Sequence, residues 1–151
     1  MRQLRRPVAT LEKHKNYVSH VEFSHMGDMI VSSGGDFKVI IWNLKDFSIF
    51  GMYDEALAPV TCSVWSPDDS MILSTCHDGH FRLFSVEDQD TIKASTGPHL
   101  GHLWAAAWSA TQDSFVTVGM LSCACACRSL YGCLLPRSCC EKSHETYLVL
   151  C

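Results

Sequence analysis

One spacing governs what this 151-residue chain can fold into. Asp36 and Trp42 close one segment, and 42 residues later Asp78 and Phe84 close the next. Ser32 returns at the same distance as Ser74, and Phe23-Ser24 returns as Trp65-Ser66. A third copy opens at Trp108-Ser109 and carries Thr117 in the serine place, now shifted by 43. Self-similarity at such a period marks units that cannot bury an apolar face alone and must stack on their neighbours. After Gly119 the echo stops and a cysteine-rich stretch follows. The repeats therefore occupy residues 7–119, as units of about 7–52, 53–96 and a partial 97–119. Residues 120–151 are expected to form an irregular tail outside the repeat structure.

Inside each unit the local signals read strand, turn, strand. Residues 18–23 form a strand; residues 24–28, with Gly27 where positive φ is cheap, form a turn. Residues 29–32 are a short apolar run, Gly34-Gly35-Asp36 turns the chain again, and residues 38–42 are rich in β-branched side chains. Residues 46–52 supply a weaker fourth strand. The second unit repeats the order, with strands at 60–65, 71–75, 80–84 and 91–95 and turns at 66–69 and 77–79. No segment sustains a helical period, so the expected class is all-β.

These residues resemble the WD40-repeat family. Ser66-Pro67-Asp68-Asp69 is similar to its Ser-Pro-Asp-Gly turn, Ile41-Trp42-Asn43 stands where the family has Trp-Asp, and His14 precedes Trp42 at the usual distance. The resemblance covers residues 7–119 and implies an incomplete β-propeller, with two four-stranded blades and part of a third. In that family sequence repeats are staggered against blades, so residues 7–11 would serve as the outer strand of a preceding blade. The resemblance also implies a buried structural tetrad of His14, Ser32, Asp36 and Trp42, in which hydroxyl, imidazole, carboxylate and indole satisfy one another. The second copy keeps Ser74 and Asp78, but Ala56 replaces its histidine and Phe84 its tryptophan. The third keeps His99 and Thr117, while Leu121 and Cys127 fall where aspartate and tryptophan belong, so its outer half is expected to be missing.

Candidate chemistry is thin. No Gly-x-Ser-x-Gly elbow surrounds Ser32, Ser33, Ser74 or Ser109, and no phosphate loop of Walker or dinucleotide type is present. His20, His25, His77, His80 and His102 are scattered, and Glu22 and Asp68-Asp69 do not form a legible acid–base pair. The expectation is a protein without catalytic activity, cofactor or small-molecule substrate. A net charge of -4, with 12 basic against 16 acidic residues, gives no footprint for nucleic acid or anionic membrane. The basic cluster Arg2, Arg5 and Arg6 is too small for a phosphate-binding arm.

Other proteins are the expected partners. In the family, partners dock near the start of each innermost strand, which corresponds here to Tyr17 and Ser19, Pro59 and Thr61, and His102 and Trp104. Tyr17 and Trp104 stand out because amphipathic aromatics dominate interface energetics. Trp42-Asn43-Leu44-Lys45 departs from the family's adaptor-recruiting Trp-Asp-x-Arg, so that role is not expected. The start of the chain has basic residues but no apolar stretch behind them, which predicts an intracellular protein, cytoplasmic rather than nuclear.

Seven of the nine cysteines crowd the tail. Cys123, Cys125 and Cys127, with Cys139 and Cys140, offer soft thiolates, but they lack the doubled Cys-x2-Cys spacing of zinc sites. The leading expectation is an adventitious tail, as splicing or a frame change would produce; a metal- or thiol-dependent module and cysteine acylation are the alternatives. A shortened array also predicts self-association through unpaired blade edges.

Overall fold

A computed structural model of the chain describes residues 7–94, 101–111, 114–120, 123–128 and 147–149. Among the described residues, twelve strands build three four-stranded sheets. Sheet 1 is a meander of β1 (Val18–Phe23), β2 (Met29–Gly34), β3 (Val39–Asn43) and β4 (Ile49–Tyr53). Sheet 2 follows with β5 (Val60–Trp65), β6 (Met71–Cys76), β7 (Phe81–Ser85) and β8 (Thr91–Ala94). Sheet 3 holds β9 (Leu103–Trp108), β10 (Ser114–Gly119), β11 (Cys123–Arg128) and β12 (Tyr147–Val149). The expected strands and turns of the first two units fall where the alternation and turn residues put them, within two residues at most ends and three at the fourth strand. Residues 7–11 differ, for they join no strand. The described chain offers them no ladder, and an unpaired segment has nothing to hold it extended.

The turns follow the repeat as well. Gly27 and Asp69 share one left-handed position, with φ of 75° and 60°. Phe37 and Gly79 share another, with φ of 68° and 82°. Only glycine adopts that region without steric cost, so Asp69 and Phe37 are held there by the hairpins around them.

Two apolar seams hold the sheets together. Val31, Val39, Ile41 and Tyr53 of sheet 1 meet Val60, Trp65, Ile72 and Phe84 of sheet 2, all buried. Leu73, Phe81 and Leu83 of sheet 2 meet Leu103 and Phe115 of sheet 3. Burying side chains of this size contributes roughly 1.5–3 kcal/mol each, so the seams dominate the stacking. Period two explains the economy: sheet 2 gives one face to sheet 1 and the other to sheet 3.

The third sheet departs from the expectation that it stops at two strands. β11 pairs antiparallel with β10, Thr117 opposite Cys125 and Phe115 opposite Cys127. In sheet 1 Ser32 opposes Ile40 and Ile30 opposes Trp42; in sheet 2 Ser74 opposes Arg82 and Ile72 opposes Phe84. Cys127 thus occupies the tryptophan register of its sheet, although its residue type carries none of the repeat's signature. β12 lies parallel to β11, unlike the antiparallel fourth strands of the other two sheets.

Candidate functional site

The four residues of the first network form an unbroken chain of hydrogen bonds. The Trp42 Nε1–H donates to Ser32 Oγ at 2.8 Å. Ser32 Oγ lies 2.9 Å from His14 Nε2, and His14 Nδ1 lies 2.8 Å from Asp36 Oδ1. Serine can receive the indole proton and give its own, which leaves His14 Nε2 as acceptor and Nδ1–H as donor to the carboxylate. Burial alone would raise the Asp36 pKa. The Lys15 backbone N–H and the His14 ring, both hydrogen-bonded to its oxygens, outweigh that and hold it below the ordinary carboxylate range.

Serine, histidine and aspartate in this order also describe an acyl-transfer relay, so the distinction matters. A nucleophilic serine must present Oγ to a substrate carbonyl. Here the indole caps that atom, and Ser32 is buried within the sheet. The network joins strands β2 and β3 to the segment before β1, and its chemistry is cohesion.

Sheet 2 satisfies the equivalent aspartate by another route. Arg82 Nη2 donates to Asp78 Oδ2 at 2.8 Å, with both side chains nearly buried. The His80 backbone N–H donates to Oδ1 at 2.9 Å. Burial again works to raise the Asp78 pKa, but the Arg82 guanidinium and these donors bring it down to about 2. Phe84 replaces the indole and stacks on Tyr53, with ring centroids 4.3 Å apart. Tyr53 donates its hydroxyl proton to the Ser85 carbonyl at 2.7 Å, and burial raises its pKa to about 12. Sequence reasoning missed Arg82, because the corresponding place in the first unit is the apolar Ile40. An arginine four residues after an aspartate that has lost its histidine was the available signal.

The expected docking residues divide into two sets. Ser19 Oγ donates toward the carbonyls of Ser33, in its own sheet, and Val60, in the next. Thr61 Oγ1, 42 residues on, reaches the carbonyls of Thr75 and Leu103 in the same way, at 3.0 and 2.9 Å. These hydroxyls staple neighbouring sheets. Trp104 fills the equivalent place of sheet 3. Its ring is 50% exposed and rests edge-on against His77, centroids 5.1 Å apart, with His102 alongside.

Tyr17 is 56% exposed and lies over Gly35, where an added Cβ would stand 2.5 Å from its ring. The carbonyls of Tyr17, Pro59 and His102 each accept a backbone N–H, from Gly35, His77 and Met120 respectively. All three positions are thereby fixed at the same end of the innermost strands. Ala56 packs at the edge of the seam between sheets 1 and 2, and Thr117 is fully buried. Cys123, Cys125 and Cys127 are placed as backbone positions of β11. His99, Leu121, Cys139 and Cys140 lie outside the described residues.

Stacked antiparallel meanders, register-matched at a 42-residue spacing and pinned by a Trp–Ser–His–Asp network, define a blade-repeat protein. Residues 5–43 and 52–85 match the family described as WD domain, G-beta repeat. These two segments are WD40 repeats. The chain is similar to a WD repeat-containing protein 26 homolog of Arabidopsis thaliana, at 29% identity over 85 residues, covering 54% of this chain and 14% of that protein. A WD repeat-containing protein WDS homolog of the same plant is 33% identical over 87 residues, covering 56% of this chain and 16% of that one. Elongator complex protein 2, also of Arabidopsis thaliana, is 24% identical over 115 residues, which is 69% of this chain and 14% of its own length. The chain thus spans about a seventh of the length of these relatives.

Proposed function

We propose that the chain is a non-enzymatic protein-interaction module whose docking face is the rim carrying Tyr17, Pro59, His102 and Trp104. The observation that carries this reading is a pair of exposed aromatic rings, Tyr17 and Trp104, held at one end of the innermost strands of sheets 1 and 3. Each is braced, by Gly35 and by the His77 ring, so little side-chain entropy is lost on binding. Relatives that serve in named complexes, such as Elongator complex protein 2, support a role as scaffold.

The proposal extends to form and setting. It takes the chain as a shortened version of a longer repeat array, acting in the cytoplasm, and the break in residue signature after Gly119 supports the first part. Unpaired sheet faces, with Val21, Phe23 and Met52 exposed on sheet 1 and Val118 on sheet 3, support self-association as a further property.

Affinity capture with quantitative mass spectrometry, comparing the chain with its Tyr17→Ala/Trp104→Ala form, tests the docking face. Expected is a set of proteins retained by the first and depleted at least tenfold in the second, with circular dichroism unchanged. Partners retained equally by both would refute the assignment.

A further inference from the structure

One strand carries a motif that neither the repeat nor the rim uses. In β11, Cys123, Cys125 and Cys127 alternate with Ala124 and Ala126. Residues two apart in a strand share a face, so the three cysteine positions form one row. Neighbours in the row stand roughly 6.6 Å apart along the strand, and the outer two about 13 Å.

Register shows what the row replaces. Cys125 lies opposite Thr117, and Cys127 opposite Phe115. At the matching places sheet 1 has Ile40 opposite Ser32 and Trp42 opposite Ile30. Sheet 2 has Arg82 opposite Ser74 and Phe84 opposite Ile72. In both sheets this face carries the polar network, the Trp42–Ser32–His14–Asp36 chain in one and the Asp78–Arg82 ion pair in the other. Cys125 therefore stands where sheet 2 holds a buried cation, at a place that accepts charge when the charge is paired.

Thiolates are soft ligands and select soft ions. Zinc asks for four tetrahedral ligands, which a single row cannot close around one point. Cu(I) is satisfied by two. We propose that this row binds Cu(I), held between Cys125 and one or other of its neighbours. Cys125 is common to both pairs, whereas Cys123 and Cys127 stand too far apart to share an ion. The two thiols release their protons to solvent as the ion binds, and copper enters and stays as Cu(I), so no electrons move. Cys62 and Cys76, both free in sheet 2, compete poorly because burial pushes their thiols up. The site rests on β11 and is independent of the rim.

The test titrates the full chain, reduced and free of oxygen, with Cu(I) against the chelator bathocuproine disulfonate. Cys125→Ser breaks both pairs and should weaken uptake at least tenfold. Cys123→Ser and Cys127→Ser each leave one pair, so each should weaken it only about twofold, the statistical loss of one of two sites. X-ray absorption at the copper edge of the unaltered chain should show two sulfur ligands. Uptake unchanged by Cys125→Ser, equal losses at all three cysteines, or a copper shell other than two sulfurs would overturn the proposal. The copper shell is read on the unaltered chain, so it stands whatever the variants' stability.

Discussion

Sheets 1 and 2 carry an aspartate at one repeat position and satisfy it in opposite ways. Asp36 accepts from a histidine that passes the chain on through Ser32 to the Trp42 indole. Asp78 accepts directly from Arg82, a strand residue four positions later. The difference is one of reach. The first arrangement ties β2 and β3 to the segment before β1, so it holds parts of the chain far apart in sequence. The second is confined to one hairpin, and the remaining space is filled by Phe84 stacked on Tyr53 of the preceding sheet. A repeat position therefore demands that its buried carboxylate be paired; it does not dictate the partner.

Removing the cation should have the largest effect. Arg82→Ala leaves Asp78 buried and uncompensated, and about 3–5 kcal/mol of stability should be lost, measured by urea unfolding at pH 7. The cost must also fade in acid. Asp78 has a folded pKa of about 2, below its unfolded value, so its contribution is present above roughly pH 4 and disappears as pH falls through the folded value. The gap between wild type and variant should accordingly narrow between about pH 4 and 2. A gap that stays constant over that range would show that Arg82 acts through its packing alone.

A smaller effect separates the two networks at their serines. Ser32→Ala deprives both the Trp42 N–H and His14 Nε2 of their partner, and about 2 kcal/mol should be lost. Ser74→Ala sits opposite Arg82, beside a Phe84 ring that has no N–H to strand. It should cost no more than about 0.5 kcal/mol. Equal losses at the two serines would mean that the indole bond does not distinguish the sheets.

The particular residues show why some features were legible in the sequence and others were not. Strands β1 to β8 follow from alternation and turn residues, which act locally. The tetrad follows from the family resemblance, for only its serine and aspartate recur in the second unit, as Ser74 and Asp78. Arg82 was hidden, since its first-unit counterpart is Ile40 and one repeat cannot announce the other's substitution. Ser19 and Thr61 read from the sequence as docking residues; the recurrence of a hydroxyl 42 residues apart was the unread signal of their contacts with inter-sheet carbonyls. In β11 the Cys-Ala alternation is itself a strand signal of period two, masked by the chemical prominence of cysteine.

The smallest test concerns the backbone between β2 and β3 and its counterpart between β6 and β7. Phe37 and Gly79 hold one left-handed position, and the price of a side chain there is carried only by sheet 1. Gly79→Ala should destabilise by about 1 kcal/mol, because a Cβ at φ 82° crowds the backbone carbonyl. Phe37→Gly should change stability in the other direction, by on the order of 0.5 kcal/mol, since relief of the strain exceeds the added freedom of the unfolded chain. Opposite signs would mean that the turns are interchangeable modules and that sheet 1 tolerates its strain through the adjoining Asp36 network. If Phe37→Gly also destabilises, the half-exposed ring contributes more by covering the turn than its backbone loses. The two hairpins would then differ in packing as much as in conformation.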